Sequence, residues 1–156
     1  MGTASLIATS VAILLLVITA YVLVGGTLAT AEVVISAQRD ATSHHEERIR
    51  TQISIIRTLH AVNDSTLYVL LENTGSEPVT DLDHFDVFLA DGGSPIYYPR
   101  GSGAGTWTLV SIMPDDIHPA LLDPDEVMNI SVIYTGNAPT WVQTATDNGI
   151  IDSAYV

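Results

Sequence analysis

Thr66-Leu67-Tyr68-Val69-Leu70-Leu71 runs into Asn73-Thr74-Gly75-Ser76. Apolar residues with β-branched and aromatic members that stop at such a cluster read as a strand closed by a turn. The pattern recurs on both sides. Upstream, Gln52-Ile53-Ser54-Ile55 alternates polar and apolar. Downstream, His84–Leu89 alternates and halts at Asp91-Gly92-Gly93, and Ile96-Tyr97-Tyr98 ends at Pro99. Trp107–Ile112 is a further strand, and Asp123-Pro124-Asp125-Glu126 turns the chain into Val127–Tyr134. Trp141–Ala145 and Gly149–Tyr155 make a terminal hairpin around Asp147-Asn148-Gly149. Seven or eight short strands with regular turn punctuation predict a mainly β domain folded as a Greek-key sandwich.

The first third of the chain reads differently. Met1–Ala31 has no charged residue, and Leu6–Val24 is its most apolar part. Helical residues over that stretch, at about 1.5 Å each, approach the roughly 30 Å thickness of a bilayer's hydrocarbon layer. Ser5, Thr9, Ser10 and Thr19 are tolerated because a helical hydroxyl bonds back to its own backbone. Tyr21 stands where an interfacial aromatic would. The n-region has neither Lys nor Arg and the apolar run exceeds an ordinary signal-peptide core, so the segment is expected to stay attached, although Leu28-Ala29-Thr30-Ala31 offers small residues for cleavage. Ser36–Arg50 lacks Gly and Pro and places Glu46 four residues before Arg50, which predicts a helical stalk. The expected organisation is a transmembrane anchor over 1–31, a stalk over 32–51 and a β-sandwich over 52–156.

Charge and chemistry narrow the function. Acids outnumber basic residues eighteen to five, giving a net charge of −13, and there is no Cys. From Leu59 onward fourteen acids face Arg100 alone, which excludes nucleic-acid binding through a basic face. The absence of Cys removes disulfides, zinc–thiolate sites and thiol nucleophiles. Gly101-Ser102-Gly103-Ala104-Gly105 precedes a strand rather than a helix and has no nearby Lys, so it is read as a hairpin loop. His44 and Glu47 share a helix face but make only a two-residue set. Asp81-x-Asp83-x-x-Asp86, Asp115-Asp116-Ile117-His118 and Asp123-x-Asp125-Glu126 carry oxygen ligands without the EF-hand's central Gly and terminal Glu. They are read as turn caps on an acidic surface, and neither a metal nor a cofactor is expected. No nucleophile motif or acid/base pair appears, so catalysis is not expected. Trp107 and Trp141 are expected in the core. Asn63-Asp64-Ser65 and Asn129-Ile130-Ser131 make Asn63 and Asn129 candidate glycosylation sites and favour an extracellular domain. The arginines after the span pull weakly the other way.

Three stretches carry a resemblance. They are Met1-Gly2-x-Ala4-Ser5 leading into the span, Glu46-Glu47-Arg48-Ile49-Arg50-Thr51-Gln52-Ile53-Ser54-Ile55 at the helix-to-strand junction, and Leu67–Glu72 with Asn73-Thr74-Gly75-Ser76, followed later by Leu122-Asp123-Pro124-Asp125-Glu126 before a strand. The layout resembles the type IV pilin-like plan of archaeal flagellins, and most closely the FlaF/FlaG accessory family of the archaellum. No basic residue precedes Gly2, and Ser5 or Ile7 stands where a pilin favours Glu. Within the family this is more similar to FlaF, an uncleaved anchored protein. The resemblance implies an immunoglobulin-like sandwich in the pseudoperiplasm on a single-pass helix, self-association, a FlaG-like partner, contact with the S-layer and a static stator role in the motor, with exposed strand edges as gripping surfaces. A filament subunit, archaellin or adhesive pilin, is the alternative, and a sensor or solute-binding ectodomain a second.

Overall fold

A computed structural model describes residues 2–61 and 64–156. A single helix α1 (Gly2–Arg50) is followed by eight strands: β1 (Ile53–His60), β2 (Thr66–Asn73), β3 (Asp86–Ala90), β4 (Ile96–Tyr98), β5 (Thr106–Met113), β6 (Val127–Ile133), β7 (Trp141–Ala145) and β8 (Ile151–Tyr155). Residues 2–43 and 44–156 form two separate units.

The helix has 49 residues and no Pro, which at 1.5 Å per residue makes it about 70 Å long. The segments expected as anchor and stalk lie in this one helix. Its hydroxyls are spent on its own backbone, as with Thr9 Oγ1 to the Ser5 carbonyl and Thr19 Oγ1 to the Leu15 carbonyl, both at 2.9 Å. All its described side chains are exposed, including Leu14, Leu15, Leu16, Leu23 and Leu28. It is long and apolar enough to cross a membrane.

The strands form two four-stranded antiparallel sheets, ordered β1-β2-β6-β5 and β4-β3-β7-β8. This is the immunoglobulin arrangement of an A-B-E-D sheet on a C-F-G sheet, with one short extra strand beside C. Burial follows the two-residue period of a half-buried strand. In β2, Leu67, Val69, Leu71 and Asn73 point inward, and in β6 Met128, Ile130 and Val132 do the same. Val87, Leu89, Tyr98 and Val142 answer them from the second sheet, with Phe85, Trp107 and Leu122 filling between. Each large apolar side chain taken fully out of water contributes about 1.5–3 kcal/mol.

The sandwich's corners differ. Where β1 meets β8, the Ile55 N–H donates to Asp152 Oδ2 at 2.6 Å, and the β1 register slips between Ile55 and Arg57. A bulge and an inward-turned acid are two known ways of blunting an edge strand. Across the domain, Pro99–Gly101 leave β4 and pair with Trp107: its N–H reaches the Pro99 carbonyl at 3.0 Å and its carbonyl takes the Gly101 N–H at 2.8 Å. Only this start of β5 is covered. From Thr108 to Met113 β5 is an uncharged strand edge, bulged between Leu109 and Ser111, with Val110 and Met113 well exposed.

Trp141 departs from the expected core placement. It is half-buried on the outer face of the second sheet, because the inward positions of β7 belong to Val142 and Thr144.

Candidate functional site

The C-terminal turn of α1 is locked into the end of the sandwich. A helix end leaves backbone carbonyls without intrahelical partners. Here the Ser76 N–H donates to the Arg50 carbonyl at 2.8 Å, while the Thr74 and Gly75 N–H groups both reach the Gln52 carbonyl, at 2.9 and 3.0 Å. The turn that makes these bonds is set by Asn73, fully buried at the end of β2. Its Nδ2 donates to the Glu77 and Leu122 carbonyls, both at 2.9 Å, and its Oδ1 accepts from the Gly75 N–H at 3.0 Å. A second turn grips the other side: Asn148 Nδ2 donates to Thr51 Oγ1 at 2.8 Å, and Thr51 Oγ1 donates to the Glu47 carbonyl. Arg50 Nη1 lies 3.6 Å from Glu46 and 3.9 Å from Glu77, adding weaker exposed pairs.

The close approach explains Gly75. A Cβ built there would lie 2.4 Å from the Arg50 carbonyl oxygen and 2.5 Å from the Gln52 nitrogen, both backbone atoms. Asn73-Thr74-Gly75-Ser76, a turn on sequence grounds, is thus a clasp around the helix end.

The carboxylate clusters are engaged in turns and pairs. Asp81 Oδ1 accepts from the Asp83 and His84 N–H groups, and its Oδ2 meets His84 Nδ1 at 2.7 Å. That bond holds the Asp81 carboxyl below its ordinary pKa and raises the His84 imidazole above its own. Asp83 pairs with Arg100, whose guanidinium lies 5.5 Å above the Trp107 ring. Asp86 lies on β3, away from that loop's bonds. Asp115 Oδ1 accepts the Ala120 N–H, and Glu126 Oε2 accepts the Asp123 N–H. Among the described residues no three His, Asp or Glu side chains converge as metal ligands. His44 and Glu47 do share a face, at 3.5 Å, in an exposed position.

Asp123 is buried and faces a half-open partner: His118 Nδ1 is 2.9 Å from its Oδ1, and the His118 N–H donates to its Oδ2. The His118 side chain holds the Asp123 carboxyl below its ordinary pKa. A group with a depressed folded pKa contributes stability above its unfolded value and loses it as pH falls through the folded value. We therefore expect His118→Ala to lower stability near neutrality and to raise the pH at which the protein unfolds on acidification, the two proteins converging at the lowest pH. An acid titration followed by circular dichroism tests this, and coincident acid transitions would rule the pair out as a contributor.

Asn129 lies in β6, in the middle of the first sheet's outer face, half-buried between Leu70 and Ser111. Asn63 lies outside the described residues. The glycine-rich loop joins β4 to β5 and carries positive φ at Gly103 and Gly105.

No family model matches the chain. It is 27% identical to an uncharacterized protein of Archaeoglobus fulgidus over 158 aligned residues, covering 99% of this chain and 95% of that one. Among solved structures, the archaellum periplasmic stator protein FlaG from Sulfolobus acidocaldarius matches with a TM-score of 0.56 and 22% identity. The match covers 68% of this chain and 99% of that one. What is shared is the fold. The structure of the FlaF and FlaG stator complex from the same organism gives a TM-score of 0.55 at 21% identity, over 68% of this chain and 89% of that one. The long apolar helix and the two-sheet sandwich are thus combined here in one chain, and the sandwich is of the kind seen in archaellum stator proteins.

Proposed function

We propose that this protein is a non-catalytic structural component of an archaellum motor, acting as an anchor or stator between the membrane and the S-layer. The observation that carries the reading is the sandwich shared with archaellum periplasmic stator proteins, joined through a clasped junction to a helix that can cross a membrane. A stator must resist torque, and a helix end bonded by two turns is a stiffer connection than a free linker. On this reading residues 1–31 are the single-pass anchor, 32–51 the stalk and 52–156 the pseudoperiplasmic domain, with Asn63 and Asn129 as glycan acceptors. In its finer form the chain takes the place of FlaF beside a FlaG-like partner. Structural likeness to FlaG makes the FlaG place the competing assignment.

Deleting the gene and imaging the cells tests the role. Absent or non-rotating filaments, together with S-layer binding by the detergent-extracted protein, support it, whereas unchanged swimming refutes it.

The uncharged edge of β5 is the surface we assign to self-association, because pairing of exposed edges adds main-chain hydrogen bonds at little conformational cost. Thr108→Lys puts a cation on that edge. It should weaken self-association at least tenfold while changing stability by less than about 0.5 kcal/mol. Sedimentation of the detergent-solubilised protein reads the first quantity and a thermal melt the second.

One observation favours a filament subunit. The uncharged part of α1 runs from Gly2 to Ala31, about 45 Å of helix apolar on every side, where a bilayer needs about 30 Å. Long polymers after purification would establish that alternative, and a small oligomer would exclude it.

A further inference from the structure

The outer face of the second sheet is aromatic and bears only negative charge. The side chains of β3, β4, β7 and β8 that point away from the core fall into register. Tyr97, Phe88, Gln143 and Ser153 form one row across the four strands, with Trp141 and Tyr155 on one side of it and Asp86, Ala145 and Ile151 on the other. Tyr97 is 50% exposed, Ile151 61% and Tyr155 87%. Phe88 and Tyr97 pack with ring centroids 5.4 Å apart. The Tyr97 hydroxyl is raised above the ordinary phenol value, first by partial burial and then by the neighbouring Asp86 carboxylate. Asp86 stands two residues before Phe88 on the same face of β3, and Phe88 is the register partner of Tyr97, so the acid lies beside the ring pair. The only charged residues in the four strands are Asp86 and Asp152, and Asp152 is turned toward β1.

An aromatic pair with a carboxylate at its margin suits one chemistry. A guanidinium is planar, stacks on ring faces and donates two parallel hydrogen bonds to a carboxylate. A second copy of this chain is poorly equipped to supply it. The chain has no lysine, and of its five arginines Arg50 and Arg100 are paired with its own carboxylates and Arg39 and Arg48 stand on the helix, which leaves Arg57 on β1 as the sandwich's remaining guanidinium. Two copies meeting through this face, unlike two meeting through the uncharged β5 edge, would also set its carboxylates against one another. The occupant has to come from a molecule of opposite charge.

We propose that this face docks an arginine-bearing surface of a partner protein, with Asp86, Phe88 and Tyr97 seating one guanidinium. The inference is independent of the motor reading, since it uses only the chemistry of the face.

The test uses the full chain in detergent micelles and a short peptide alternating arginine and serine, with lysine–serine and glutamate–serine peptides of equal length as comparisons. Titration calorimetry at low and high salt gives the affinities. The arginine peptide should bind more tightly than the lysine peptide, the glutamate peptide should not bind, and Asp86→Asn and Tyr97→Ser should each weaken arginine binding about tenfold. Asp116→Asn removes the same charge from an exposed loop elsewhere and should change little. Three results would overturn the proposal: no difference between Asp86→Asn and Asp116→Asn, which reduces the effect to net charge; equal binding of the arginine and lysine peptides with Tyr97→Ser unaffected, which removes the aromatic seat; or sedimentation showing that Tyr97→Ser splits a dimer, which assigns the face to a second copy.

Discussion

Gly75→Ala should destabilise the protein by about 3 kcal/mol, a drop in melting temperature on the order of 15 °C for a domain of this size. The expectation follows from where the added methyl goes. It would meet the Arg50 carbonyl oxygen and the Gln52 nitrogen at 2.4 and 2.5 Å, and neither can swing aside as a flexible side chain would. Either the turn retreats, breaking the Ser76-to-Arg50 and Gly75-to-Gln52 bonds, or the helix end moves and the start of β1 moves with it. Both outcomes loosen the clasp, so trypsin should cut faster at Arg48 and Arg50 than in the wild type. The idea fails if Gly75→Ala melts within a few degrees of the wild type and is cleaved at the same rate. Ser76→Ala is the matched comparison: it keeps the backbone donor and should leave both readings nearly unchanged.

Trp107→Ala is expected to cost about 4 kcal/mol, near the upper end for a buried aromatic truncated in place. The ring is fully buried, meets Phe85 edge-on at a centroid distance of 5.8 Å and lies under the Arg100 guanidinium. Its backbone receives the strand that leaves β4. Removing the ring opens a cavity and frees Arg100, so the corner between β4 and β5 should lose protection as a unit. Hydrogen exchange at Gly101 and Trp107 reads that corner directly, and urea unfolding reads the global loss. Trp107→Phe keeps part of the volume and should cost well under half as much. Equal losses for the two variants would show that the ring's packing is not what stabilises the corner.

Much of the architecture was legible from pattern alone. The period-two alternation in His84–Leu89 and the turn signals after it follow from one face being wet and the other dry, and that asymmetry leaves its mark on composition. The helix was legible because residues 2–50 hold no Pro, and the weakening Gly25-Gly26 pair does not interrupt it. Trp141 was misplaced because its size argues for burial while its register argues for the outer face, and register is decided by the strands beside it. The clasp lay hidden for a related reason. Asn73-Thr74-Gly75-Ser76 announces a turn, yet nothing local says that the turn folds against residues 50–52, more than twenty positions earlier. The glycine's conservative appearance conceals a steric demand made by a distant backbone. Edge protection was equally invisible: Asp152 looks like one more surface acid until Ile55 is placed beside it. The acid–aromatic corner at Asp86, Phe88 and Tyr97 needs two strands in register before it exists at all.

The bond from Ile55 to Asp152 also imposes an order of events during synthesis. It joins residues 97 positions apart, between the first strand made and the last. A chain emerging N-terminus first can pair β1 with β2 early, because only a short loop separates them, but β1 keeps an open flank until β8 is made. Through that interval the nascent chain displays Ile53 and Ile55 on an unguarded ribbon, which is when mispairing with another nascent chain is most damaging. Release of the finished polypeptide closes that window, and a chain stalled before β8 would remain in the aggregation-prone state for as long as the stall lasts.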